Sequence, residues 1–298
     1  VKAGQIFGLL GPNGAGKTTF VKILLGILHA NSGQALLFNQ PVSSPAARKK
    51  VGYLPENHRF PEFLTGAAVL DYSARLSGMK NAIERQERAE IFLKRVKMWE
   101  WRATKIKKYS KGMLQRLGLA QSMLHDPELI FLDEPTDGVD PIGRKEIRDL
   151  LIELKEAGKT IFLNSHLLSE VEMICDEVAI LDKGTLLRQS TVRELTTSDR
   201  RFQIHTTVKN ENVLEQIRQH ANTVQTDNGF LDVVVSGIEQ LNRIIDILRR
   251  EQLLIQAIMP HKQSLEESFV QTIQGAGTAD FNELLPADAT RDREGQNG

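Results

Sequence analysis

The sequence predicts a parallel-sheet α/β domain followed by a smaller α+β domain, and three observations lead there. Residues 5–10 are apolar and strand-like, residues 11–17 are rich in glycine, and an apolar helix starts at Thr18. From Met113 to Leu181, short apolar runs alternate with amphipathic helical stretches, the pattern of strands joined by crossover helices. After Arg193 the order becomes strand, helix, two strands, helix, strand, the split βαβ arrangement of ferredoxin-like folds.

Each element has its own signal. Residues 65–76 and 81–98 read as two helices separated by Ser77-Gly78, and residues 57–108 together form a helical insertion. Met113, Leu117, Ala120 and Leu124 recur at helical spacing until Asp126-Pro127 stops that helix. Residues 129–132 are a short buried strand. Asp140 is an N-cap with Pro141 at the first helical position, Ile147, Leu150, Leu151 and Leu154 make one face, and Gly158 ends the helix. A strand at 160–164 follows, then a helix carrying Leu167, Leu168, Val171, Ile174 and Cys175, then a strand at 178–181 closed by Asp182-Lys183-Gly184. In the second domain Phe202, Ile204 and Val208 share a strand face, and Val213, Leu214 and Ile217 lie on a helix. Asp227-Asn228-Gly229 turns the chain into a strand at 230–235. A helix at 238–249 and a strand at 253–259 complete the set. The expected domains are therefore 1–195 and 200–274, with the small, polar, acidic stretch 275–298 as a disordered tail. Val1 stands directly before the first strand, so further N-terminal strands are expected upstream.

Composition narrows the function classes. With 41% apolar and 26% charged residues among 298, the chain is globular, neither disordered nor fibrous. Its 38 basic and 38 acidic residues cancel, so a wholesale basic face is not indicated and no nucleic-acid partner is expected, while local basic patches stay open. The single cysteine, Cys175, excludes an intramolecular disulfide and a cysteine metal cluster and fits a reducing compartment. No apolar stretch approaches the roughly 20 residues needed to cross a bilayer, so a membrane role must run through a partner.

The chemistry gathers at three places. Gly11-Pro12-Asn13-Gly14-Ala15-Gly16-Lys17-Thr18, with Thr19 behind it, satisfies GxxxxGK[ST] between a strand and a helix. Glycines at that spacing let the backbone fold around phosphate, so that N–H groups and the helix N-terminus face the anion. Lys17 is placed to reach the terminal phosphates and Thr18 to hold Mg²⁺. An ordinary glycine turn is the bland alternative, and strand-to-helix context argues against it. The strand at 129–132 ends in Asp133 and Glu134, where parallel sheets collect ligands. There Asp133 can orient a metal and Glu134 can polarise an attacking water. His166, in Asn164-Ser165-His166, sits at a neighbouring strand end within reach of a γ-phosphate.

In this order, and with Tyr53-Leu54-Pro55-Glu56, Ser110-Lys111-Gly112-Met113 and Asp137-Gly138-Val139-Asp140 between and after them, these residues resemble the nucleotide-binding subunit of ATP-binding cassette (ABC) transporters. The resemblance covers residues 1–195 and implies the fold of a P-loop NTPase with an ABC helical subdomain. It implies ATP and Mg²⁺ as ligands, Thr18, Glu56 and Asp133 toward the metal, and Glu134 and His166 in catalysis. It further implies a head-to-tail dimer in which Ser110, Lys111, Gly112 and Met113 touch the ATP held by a second subunit, with Asp140 linking the two sites. A homodimer and a heterodimer both fit. A separate membrane permease would dock on the helical insertion, which places the chain at the cytoplasmic face of the membrane. The small domain, with Ser264-Leu265-Glu266-Glu267-Ser268-Phe269, looks like the appendage of exporter-type subunits, for which dimer support is the expected role.

Two departures stand out. The family usually has Leu-Ser-Gly-Gly-Gln where this chain has Tyr109-Ser110-Lys111-Gly112-Met113, which leaves the role of Lys111 open. Glu56 replaces a more usual glutamine and is a harder oxygen donor. A soluble ABC ATPase of translation, repair or cluster assembly is the competing function. Translation factors of this kind usually carry two cassettes in one chain and repair proteins a long coiled-coil insert, and this sequence shows neither.

Overall fold

The computed structural model describes residues 1–208, 210–227 and 229–276. The chain divides into two compact units, Val1–Ser190 with the stretch from Phe269 on, and Thr191–Ser268.

The first unit runs β1 (Ile6–Leu10), α1 (Lys17–Leu24), β2 (Leu36–Leu37), β3 (Gln40–Pro41), α2 (Pro45–Arg48), β4 (Val51–Leu54), α3 (Gly66–Leu76) and α4 (Ala82–Arg95). It continues through α5 (Lys111–Met123), β5 (Leu129–Asp133), α6 (Pro141–Glu156), β6 (Thr160–Asn164), α7 (Leu168–Ile174), β7 (Glu177–Asp182) and β8 (Thr185–Thr191). The main sheet has the order β4-β5-β6-β1-β7-β8, and its first five strands are parallel. β1 is buried along its whole length, which is why it reads as a continuous apolar run without alternation. On one face Phe7, Phe131 and Phe162 form a ladder with centroids 5.5 and 5.0 Å apart. The register pairs Leu9 with Asn164 and Asp133 with Asn164. The C-terminal ends of β1, β5 and β6 are thereby level, and whatever follows them shares one edge.

Helix starts obey local chemistry. Thr65 caps α3 through Ala68 N–H, Asn81 caps α4 through Ile83 N–H, and Ser110 caps α5 through Met113 N–H at 3.3 Å. The helix expected over 81–98 stops at Arg95. Lys97 takes a left-handed φ of 59° and the Met98 N–H returns to the Leu93 carbonyl, a Schellman ending made without the glycine that usually signals one. Sequence reading also missed β8. Lys183 and Gly184 both have positive φ, as a two-residue hairpin turn requires, and the chain returns beside β7.

The second unit comprises α8 (Val192–Thr196), β9 (Thr197–His205), α9 (Glu211–Arg218), β10 (Thr223–Asp227), β11 (Phe230–Val234), α10 (Ile238–Arg250) and β12 (Ala257–Lys262), and α11 (Leu265–Ala276) begins within it. Its antiparallel sheet has the order β10-β11-β9-β12. Ile204, Leu231 and Val233 pack against Val213, Ile217, Leu241, Ile244 and Leu248 from the two helices. The strand expected at 253–259 begins only at Ala257. Gln252 is left-handed, and Leu253 and Ile255 fill the core as coil. Asn228 of the expected hairpin turn, and the expected tail from residue 277 on, lie outside the described residues. No helix among the described residues is long and apolar enough to cross a membrane.

Candidate active site

The loop after β1 is shaped by its glycines. Gly14 and Gly16 have φ of 81° and 98°, and a Cβ on Gly11 would run into the Leu181 carbonyl of β7, so only glycine fits there. Ala15 is buried, and its carbonyl accepts the Gly184 N–H at 2.9 Å, which fixes the loop to the β7–β8 turn. Lys17 folds back so that Nζ donates to the carbonyls of Gly11 and Pro12 at 2.8 and 3.1 Å. Burial lowers its pKa, against the pull of Glu134, Asp133 and Glu56.

Asn13, Gly14, Ala15, Gly16, Lys17, Thr18 and Thr19 line a cleft of about 500 Å³ together with Glu56, Asp133, Glu134, Asn164 and His166. A larger apolar hollow of about 770 Å³ against Phe7, Phe131 and Phe162 shares none of these side chains. The cleft thus brings together residues from the ends of β1, β4, β5 and β6, as the level register requires. Ser110, Lys111, Gly112, Met113 and Asp140 do not line it. Asp140 caps α6 through the Gly143 N–H at 3.2 Å. Lys111 pairs with Asp137 at 2.7 Å, with the lysine side chain largely open to solvent and the aspartate partly so. Its stem lies over Gly138, where a Cβ would collide with it.

The two acids differ in environment. Asp133 Oδ1 accepts from Asn164 Nδ2, while Oδ2 is buried without a partner. Burial raises its pKa, Asn164 opposes the rise, and Glu56 adds to it. The folded chain therefore holds that proton more tightly than the unfolded chain does. Above the unfolded value the ionised carboxylate opposes folding, and it is relieved only as pH falls. Asp133→Asn removes the buried charge while keeping an oxygen for Asn164 Nδ2, and is accordingly expected to raise the melting temperature of the ligand-free chain at neutral pH. It is also expected to abolish turnover. A thermal melt with no increase would contradict this assignment.

Glu134 is held from several sides. Its carboxylate accepts from the His166 N–H at 2.9 Å, lies 2.8 Å from His166 Nδ1, and accepts from Ser165 Oγ at 3.4 Å. Burial raises its pKa and His166 pulls it back. Its φ of 53° is left-handed, which costs a non-glycine residue roughly 1–3 kcal/mol. The backbone is fixed by Glu134 N–H to the Asn164 carbonyl at 2.8 Å and by Gln115 Nε2 to the Glu134 carbonyl at 2.8 Å.

Several neighbours of these side chains escaped sequence reasoning. Asn164 and Gln115 look like a strand end and a helix filler until the fold places them. His58 faces the Pro55 carbonyl with Nδ1 at 3.1 Å and the Leu114 carbonyl with Nε2 at 3.0 Å, and so joins the loop of Glu56 to the first turn of α5. Gly118 makes room for it, since a Cβ there would stand 2.8 Å from Nε2. Finally, Thr136 Oγ1 donates to buried Glu170 at 2.7 Å, with Arg144 and Arg148 near the other carboxylate oxygen.

A glycine loop and lysine at one strand end, facing a pair of acids and a histidine at the next two, define a P-loop nucleoside triphosphatase. Comparison with known proteins makes the class specific. Residues 1–137 match the family model described as ABC transporter. An uncharacterized ABC transporter ATP-binding protein of Nostoc sp. is 40% identical over 283 residues, 94% of this chain and 82% of that protein. The bacitracin transport ATP-binding protein of Bacillus licheniformis is 37% identical over 287 residues, 93% of this chain and 91% of that protein. Among solved structures, an ATP-binding subunit of an ABC transporter superposes with a TM-score of 0.60 at 27% identity, covering 65% of this chain and 82% of that one. The chain belongs to the ABC transporter ATP-binding proteins. It binds and hydrolyses ATP and powers transport through a separate membrane subunit. The soluble alternative finds no counterpart among these relatives.

Proposed function

We propose that the cleft holds MgATP as one half of a two-site dimer, and the observation that carries this reading is that Lys17, Asp133, Glu134 and His166 line one cleft. Among the described residues no group of three or more acidic, histidine or cysteine side chains forms a metal cage. Mg²⁺ suits such a site, since it binds through one or two carboxylates plus phosphate and keeps its waters. The unpartnered Asp133 Oδ2, the Thr18 hydroxyl and Glu56 are the donors that fit it. When bound, the ion would neutralise charge on the terminal phosphates. Lys17 leaves the Gly11 and Pro12 carbonyls for those phosphates, Glu134 accepts a proton from the attacking water, and His166 both orients Glu134 and faces the γ-phosphate.

Ser110, Gly112 and Met113 serve the second site. Ser110 Oγ accepts the capping bond of α5, which leaves its proton free to donate to an anion. Lys111 adds a cation beside it, and Asp140 fixes the start of α6 in the same region of loop. Two copies of this chain give two competent sites, so a homodimer is the reading adopted. The membrane subunit docks on the helical insertion, where Pro55, His58, Phe60, Pro61 and Tyr72 line a hollow of about 320 Å³ and Phe63 and Leu76 are exposed. This holds the chain at the cytoplasmic face of the membrane. Relatives named for bacitracin transport and fluoroquinolone export support an export role.

Gly112→Asp tests the shared site. A Cβ there stands only 3.2 Å from the Gly138 carbonyl, and the added carboxylate repels phosphate. Each chain is expected to keep its ATP affinity, while ATP-dependent pairing in light scattering is lost and turnover falls to background. Removing Mg²⁺ with EDTA is expected to stop turnover of the unaltered chain. Pairing and turnover like the parent in Gly112→Asp would overturn the shared site, and turnover undiminished by EDTA would overturn the metal.

A further inference from the structure

Gln115 is buried one turn into α5, and a buried amide there must find a partner or pay for its lost hydration. The partner is not in the helix. Nε2 crosses to the Glu134 carbonyl at 2.8 Å. That carbonyl belongs to a residue in an unfavourable place twice over: its φ is left-handed, and Pro135 follows it, which biases the preceding residue toward extended backbone. Left alone, the Glu134 peptide would relax toward negative φ and swing its carboxylate off His166. Three tethers prevent this: the Glu134 N–H donates to the Asn164 carbonyl, and the Glu134 carbonyl accepts from the Asp137 N–H at 3.2 Å and from Gln115 Nε2 at 2.8 Å. Only the Gln115 tether, the shorter of the two on the carbonyl, comes from α5, the helix capped by Ser110.

We propose that Gln115 is a positioning residue for hydrolysis: its amide holds the Glu134 peptide in the left-handed conformation and makes the carboxylate move with the start of α5. The proposal rests on the reading of Glu134 as the general base. It adds a direct route between the two sites of the dimer. Engagement of a partner's nucleotide at Ser110 shifts α5, and Gln115 passes the shift to the chain's own Glu134 without involving the glycine loop.

Gln115→Met keeps length and volume and removes the donor. Its kcat is expected to fall about 10- to 100-fold, the scale of a small misplacement of a reacting group, while KM for ATP stays within about threefold because Lys17 and its loop are untouched. Gln115→Glu supplies a second readout. As a carboxylate it has no proton to give the carbonyl, and as a carboxylic acid it donates one. The ratio of its kcat to that of the parent is therefore expected to rise as pH falls. The other ionisable groups of the cleft are common to both proteins, and the ratio for Gln115→Met, which adds no carboxyl, is expected to stay flat. Parent-like kcat in Gln115→Met, a matching rise in KM, or a flat ratio for Gln115→Glu overturns the proposal. If Glu134→Gln also turned over like the parent, the reading of Glu134 itself would be at fault. If that variant is inert while Gln115→Met is fully active, only the role of Gln115 fails.

Discussion

Glu134→Gln is expected to lower ATP turnover about 10³-fold, within the span that a positioned general base contributes, while leaving ATP bound. The side chain keeps its size and an oxygen to accept the His166 N–H, so the cleft should retain its shape. What it loses is the ability to take a proton from water. The raised pKa that burial gives Glu134 sharpens the expectation, since a carboxyl closer to neutrality is a better proton acceptor than an exposed one. Phosphate release measured in a single turnover, beside the nucleotide retained after gel filtration, checks both halves. Turnover within about threefold of the parent would be far too small a loss for a base and would remove Glu134 from the role.

Lys17→Ala is expected to weaken ATP binding about 100-fold. Two charge-assisted hydrogen bonds to phosphate, each worth about 1.5–3 kcal/mol, are lost, and about 2.7 kcal/mol already corresponds to that factor. Part of the gross gain is offset in the parent, because Nζ must first leave the Gly11 and Pro12 carbonyls. Truncation also removes the lysine donor from both carbonyls, of which Pro12 keeps the Ala15 N–H at 3.1 Å, so the Gly11 end of the loop should become less ordered in the ligand-free chain. Titration calorimetry with ATP gives the affinity directly. A dissociation constant within about threefold of the parent, under 1 kcal/mol, would show that the backbone of the loop suffices without the lysine.

Much of this site was legible in the sequence because its chemistry is written locally. Residues 11–18 announce themselves by spacing, Asp133 and Glu134 by ending an apolar strand, and His166 by following the next one. Their convergence needed only the parallel order of the strands. The supporting residues were not legible. Gln115 meets Glu134 across 19 residues and His58 meets Leu114 across 56, and nothing in either neighbourhood distinguishes a buried amide or imidazole from an exposed one. Backbone conformation was hidden for a related reason. Lys97 and Gln252 turn left-handed where a glycine would have marked the spot, because tertiary packing outweighs the local preference. Glu134 does the same at the centre of the cleft, before a proline that biases its backbone toward the extended region.

Lys111 carries a different lesson, about salt. Its contact with Asp137 is short, but water reaches both partners, with 66% and 38% of their side chains exposed. Such a pair is worth about 0–1 kcal/mol and weakens as ions screen it over a Debye length of about 8 Å at physiological strength. The cation at the head of α5 is thus parked on a neighbouring aspartate under a hold comparable to thermal energy. Ionic strength therefore shifts how much of the time it is free, and a chain whose total charge is zero keeps a mobile positive charge at the mouth of a helix.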